Sequence, residues 1–197
     1  MSKDPGAPFF PMALPAGVVG RLVDVETAHR ARETIGHRIF APREEYGQFV
    51  APETRRGELD RLQERYVDAG AEWMVFYDGQ GEPVGWCYGY MEDGETFFID
   101  TVGLVPECRG QGIYTAFLPR LIAYLGSLGY ERLTTSHHPN NRAVMIPELK
   151  AGFHIVGLEL HEGCGALIKM AYLFHDDRRE GFRRVFSLAP EPSPEVG

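Results

Sequence analysis

The chain has little cysteine and no surplus of basic charge. Its three cysteines, Cys87, Cys108 and Cys164, are odd in number and form no C-x-x-C pair. Neither a disulfide framework nor a zinc site is indicated, and a reducing, cytoplasmic setting fits. No metal is expected. Lys and Arg number 20 against 28 Asp and Glu, for a net charge of −8. Sequence-independent nucleic-acid binding runs on excess cationic charge, so that class is disfavoured. No apolar run is long enough to span a bilayer, so no membrane partner is expected. The N-terminal stretch holds Pro5, Pro8, Pro11 and Pro15 but lacks a basic segment followed by an apolar core, and it does not read as a secretory signal. Two familiar phosphate loops are also missing. Gly110-Gln111-Gly112 runs on as Ile113-Tyr114-Thr115, without the third glycine of a dinucleotide fingerprint, and no G-K-[ST] closes a P-loop.

What is present is a globular pattern. The 197 residues, 44% apolar and 24% charged, suit one domain with a full core. Residues 17–175 carry the periodic segments of that domain; 1–16 read as a flexible arm and 176–197 as a peripheral tail. Strand-like runs fall at 18–25, 72–77, 83–91, 96–106, 132–136, 154–160 and 166–174. Helical spacing falls at 26–40, 54–69 and 115–125, the last with Phe117, Leu118, Leu121, Ile122 and Leu125 on one face. Pro119 should kink that helix, and Pro147 should break the one that follows 132–136. A helix separates runs 96–106 and 132–136, so these two strands should be parallel. The fold class is α/β: a mixed sheet of six to seven strands with helices on both faces.

The segment from Arg109 to Ile113 turns a strand into a helix through two glycines. Glycine lets the backbone approach a ligand closely, and the helix start offers unpaired N–H groups and a positive dipole end. That combination suits phosphate or pyrophosphate. The turn Val105-Pro106-x-x-Arg109-Gly110-x-Gly112-Ile113 resembles that of the GNAT superfamily, the acyl-CoA-dependent N-acyltransferases, whose loop reads [RQ]-x-x-G-x-[GA]. Arg109 and Gly112 match that pattern and Tyr114 departs from it. Asn141 and the pair Gly152-Phe153 stand where the family opens and closes the helix after its fifth strand. The resemblance covers residues 71–174 and is weak before them; the polar, proline-bearing stretch 41–52 falls where the family lines its acceptor site.

The resemblance implies parallel fourth and fifth strands that splay apart to admit acetyl-CoA. It implies backbone contacts to pyrophosphate from Gly110, Gln111, Gly112, Ile113 and Tyr114, with Arg109 beside them and Asn141 at the next helix. Val102, Gly103 and Leu104 would run along the pantetheine. The implied reaction is acetyl transfer to the primary amine of a small molecule or peptide, by direct attack in a ternary complex. A homodimer is allowed, but no feature of the sequence argues for one.

The residues themselves leave alternatives open. Gly103 inside a strand marks either a bulge that frees backbone for a ligand or a simple bend. Tyr114 either stacks beside the pyrophosphate or packs away from it. Asp100 shares a strand face with Val102 and Leu104 by alternation, which makes it a candidate base or a solvated strand-end carboxylate. His138 ends the fifth strand and is a second candidate base, or a cap for its turn. Ser136 stands where some family members carry a catalytic carboxylate, and Glu148 where the usual acid is a tyrosine. An ionised glutamate cannot donate a proton, so that role does not carry over. Two other readings remain: a non-catalytic acyl-CoA sensor or interaction domain, and an unrelated nucleotide-binding α/β protein.

Overall fold

A computed structural model describes residues 6, 8–40, 52–66 and 70–186. The expected acceptor-side stretch 41–51, most of the first seven residues of the arm, and tail residues 187–197 lie outside the described residues.

Eight strands form one mixed sheet. They are β1 (Met12–Ala13), β2 (Val19–Val23), β3 (Ala71–Tyr77), β4 (Pro83–Asp93), β5 (Thr96–Leu104), β6 (Arg132–His137), β7 (His154–His161) and β8 (Gly165–Leu173). The helices are α1 (Val25–Ile39), α2 (Glu53–Tyr66), α3 (Ile113–Ser127), α4 (Arg142–Lys150) and α5 (Asp176–Val185). The spatial order is β1-β2-β3-β4-β5-β6-β8-β7. Among the described residues only the β5–β6 pair is parallel, as expected from the intervening α3. Trp73 meets His29 of α1 edge-on, whereas Phe76, on the other face of β3, meets Phe117 of α3. α1 therefore covers one face of the sheet and α3 the other. Among the described residues no helix is long and apolar enough to cross a membrane.

Local chemistry accounts for most element ends. Asp24 caps α1 by accepting from the Thr27 N–H at 2.7 Å. Ala28, Ala31, Ile35 and Ile39 then form the buried stripe of that helix. Pro147 was expected to break its helix and Pro119 to kink its own; α3 and α4 both run on through their prolines, so the break at Pro147 is absent. Each proline removes one backbone bond. Burial of Phe117, Leu118 and Leu121 around Pro119, and of Glu148 beside Pro147, holds both helices on the sheet regardless.

One further expectation is corrected. Residues 8–16 are not a loose arm: β1 pairs with β2, Met12 is 1% exposed, and Phe9 and Phe10 meet Tyr124 edge-on at 5.6 and 5.2 Å. They add the eighth strand. The tail also folds back, since Arg178 of α5 binds Glu95 at 2.6 Å and Glu131 at 2.9 Å.

Two irregularities position the site. The β5–β6 ladder runs from Thr96↔Arg132 to Ile99↔Thr135 and stops, while β5 continues to Leu104 and β6 to His137. The strands part there. A bulge lies in β5 opposite Tyr88/Gly89: Thr101 faces Tyr88 and Ile99 faces Gly89, leaving Asp100 as the extra residue. The bulge is thus at Asp100 and not at Gly103. Gly103 marks a close approach instead, because a Cβ there would collide with Ile39 and meet the Phe40 ring at 3.1 Å. Its bareness lets the end of α1 lie against β5.

Gly103→Ala is therefore expected to destabilise the fold by about 1–3 kcal/mol through overpacking. Gly94→Ala, at a turn glycine with open space around it, is expected to change stability by less than about 0.5 kcal/mol. Denaturant midpoints at unchanged m-value measure both.

Candidate active site

β5 leads through a short 3-10 turn (Pro106–Cys108) into the loop 109–112 and then α3. Gly110 and Gly112 have φ of 72° and 76°, the left-handed region that favours glycine. Gly112 is the N-cap of α3 and supplies no side-chain cap. The first N–H groups of α3 therefore have no partner within the helix. Arg109 braces this loop: Nε donates to the Leu104 carbonyl at 2.9 Å and an Nη to the Ile39 carbonyl at 3.0 Å. Its guanidinium thus ties the loop to the end of β5 and to α1. Gln111 turns back and donates to the Glu107 carbonyl at 2.6 Å.

A cavity of about 560 Å³ opens in front of the loop. β5 contributes Val102, Gly103 and Leu104; the loop and helix start contribute Arg109, Gly110, Gly112, Ile113 and Tyr114; α4 contributes its N-cap, Asn141. The sequence-derived ligand residues are thus brought together, with Gln111 alone outside the lining. Past Ile99 the β6-facing edge of β5 has no strand partner, so its backbone groups are available to an extended ligand. A pyrophosphate fits the helix start and amides fit the free strand edge.

Behind this cavity lies a cluster that the sequence analysis did not resolve. Glu148 of α4 is 0% exposed. Tyr114 donates its hydroxyl to Glu148 Oε1 at 2.8 Å, and Thr135 donates to Oε2 at 2.9 Å. His137 Nε2 lies 3.0 and 2.9 Å from the two oxygens. The Tyr114 hydroxyl is thus turned to Glu148 while the residue still lines the cavity. Burial, and secondarily the Glu148 charge, holds its phenol well above the usual range, so it stays a donor. Burial and the same charge push the Cys87 thiol up. Cys108 borders the cavity, but burial and the nearby Glu107 raise its thiol too. Neither cysteine is activated as a nucleophile. Thr135 and His137 share a strand face with buried Leu133, an alternation readable in the sequence; their partner in α4 is not.

The two candidate bases fall elsewhere. Asp100 is exposed and accepts from the Thr101 hydroxyl at 2.7 Å. Thr101 stands opposite Tyr88, whose ring stacks on Trp73 at 4.0 Å on the α1 side. Burial first, then the charges of Asp100 and Glu92, raises the Tyr90 phenol, so Asp100 sits near that ring. Val102, in contrast, stands opposite Cys87 on the α3/α4 side. The extra residue of the bulge breaks the alternation: Asp100 does not share a face with Val102 and Leu104. His138 is exposed and bonds within its own turn, its ring accepting weakly from the Asn140 N–H at 3.4 Å. Neither residue lines the cavity described above. Ser136 is half-buried opposite Lys169. Among the described residues no group of His, Cys, Asp or Glu is arranged to hold a metal ion.

The geometry can bring two molecules together from opposite faces of the sheet, through the gap between β5 and β6. Solved structures share this fold at low identity. The ribosomal-protein-S18-alanine N-acetyltransferase from Escherichia coli is 17% identical, with a TM-score of 0.58 over 80% of this chain and 94% of that one. A spermidine N-acetyltransferase from Vibrio cholerae, in complex with CoA and spermine, is 14% identical, with a TM-score of 0.57 over 80% and 95%. A putative phosphinothricin N-acetyltransferase is 16% identical, with a TM-score of 0.55 over 81% and 99%. No curated protein sequence matches the chain. The model of the acetyltransferase (GNAT) family does match, over residues 37–153. That interval spans the gap, the loop and α4, so the chain belongs to the GNAT acetyltransferase family and the protein is an acetyltransferase.

Proposed function

We propose that the protein transfers the acetyl group of acetyl-CoA to a primary amine of a small molecule or peptide, by direct attack in a ternary complex. The observation that carries this is the gap between β5 and β6, with the glycine loop on one face and the Asp100 carboxylate on the other. Family membership supports an acyl-CoA donor, and the neighbours named for alanine and spermidine acetylation take amines. The unpaired N–H groups at the start of α3 receive the pyrophosphate, and the free edge of β5 receives the pantetheine.

An alkyl ammonium has a pKa of about 10 and must lose a proton before it attacks. Asp100, directly or through one water, is the proton acceptor in this reading. The amine nitrogen bonds to the thioester carbon, the C–S bond breaks, and the second proton shed by that nitrogen passes through water to the departing thiolate. Free N–H groups of β5 polarise the carbonyl as charge develops on its oxygen. The acceptor approaches from the α1 side, where Tyr90, Phe98 and Asp100 lie. A reducing, cytoplasmic setting suits the three free thiols.

Isothermal titration is expected to give micromolar binding of acetyl-CoA and none of ATP. No binding of acetyl-CoA would refute the donor assignment. In a thiol-release assay with an accepted amine, Asp100→Asn is expected to lower kcat by about 10² or more without changing acetyl-CoA affinity. The deficit should narrow as pH rises toward the amine pKa of about 10, where free base no longer needs an acceptor. His138→Ala should leave the rate near the parent value; a loss as large as that of Asp100→Asn would reassign the base.

A further inference from the structure

Glu148 brings a carboxylate into a fully buried place and matches it with donors from two other elements. Such a group does not earn its place through stability. An apolar side chain of similar volume is often as stabilising or more so, whereas removing one partner of a buried charge is costly. Its location is more telling. Thr135 is the last β6 residue paired with β5, and His137 lies beyond the fork. Tyr114 follows Gly112 by two residues, in the first turn of α3. The carboxylate therefore links the β6 side of the gap to the start of the helix that carries the loop. On the other side, Arg109 links the same loop to β5. The loop is held from both strands that bound the opening.

We propose that Glu148 is a positioning residue for the acyl-CoA donor, setting the separation between the glycine loop and β6 and fixing the Tyr114 ring as a wall of the cavity. This rests on the acyl-CoA reading of that cavity. No proton is transferred and Glu148 does not touch the substrate. With the carboxylate replaced by an amide, one oxygen acceptor becomes a donor facing donors. The Tyr114 ring is then free to leave its position, and the loop loses its tie to β6. The binding of CoA suffers first; the chemistry, which occurs in the gap, suffers less.

The test is titration of CoA into the parent, Glu148→Gln, Tyr114→Phe and the double variant, with thermal unfolding of each and kcat and KM from steady-state assays. Glu148→Gln is expected to raise the Kd for CoA by about tenfold or more, the scale of a lost charge-assisted hydrogen bond. Its KM for acetyl-CoA should rise in step, while kcat at saturation falls far less. Tyr114→Phe should raise Kd by a smaller factor, and the double variant should be no worse than Glu148→Gln, since the hydroxyl acts through the carboxylate. If Glu148→Gln does not fold, Tyr114→Phe and Thr135→Val, each removing one bond, are held to the same criterion. Variants that melt earlier yet bind CoA within about twofold of the parent, a difference well under the tenfold scale, overturn the proposal and make the cluster purely structural. Absence of CoA binding by the parent overturns the cavity assignment and this proposal together.

Discussion

β5 and β6 share only the four residue pairs from Thr96↔Arg132 to Ile99↔Thr135. Beyond them each strand keeps its outer neighbour, β4 for β5 and β8 for β6. A sheet can tolerate an internal opening only when both bounding strands are held from outside in this way. The opening leaves backbone donors and acceptors unpaired in the middle of a sheet, and such groups want partners. The rest of the architecture follows from that constraint. The loop after β5 sits at one end of the opening, α4 closes behind it, and the bulge at Asp100 falls one residue past the last pair.

The two faces of the sheet differ in character. The α3 face is built of aliphatic and phenylalanine packing, and the Glu148 cluster is set among it. The α1 face is aromatic: Trp73 stacks on Tyr88, and Arg32 lies over Trp73 and Trp86 at 5.4 and 5.8 Å. Rings of this kind give rigid walls at low cost in conformational freedom. The faces are mechanically joined where Gly103 admits Ile39 and Phe40, and where Arg109 reaches the Ile39 carbonyl. A change at the end of α1 is thus felt directly by the loop.

The loop was legible in the sequence because its chemistry is local: two glycines between a strand and a helix state their purpose within five residues. The succession of strands and helices along the chain and the parallel pair were legible because period and length are local as well. Asp100 was misplaced because alternation cannot register one extra residue, and the glycine at the bulge, Gly89, lies on the partner strand. Pro147 misled because tertiary burial overrode a backbone preference. Glu148 was opaque for another reason. Its partners lie 34, 13 and 11 positions away, and nothing in a linear pattern pairs them. The first ordered strand was missed because four prolines outweighed Met12 and Leu14, both of which are buried.

Tyr114 and Glu148 are the two places where this chain leaves the loop and acid pattern that the resemblance implied, and the structure joins them by one hydrogen bond. A tyrosine at 114 without a carboxylate buries a hydroxyl with no acceptor, and a carboxylate at 148 without the phenol keeps only its β6 donors. The two positions are therefore energetically coupled, and a substitution at one is felt at the other.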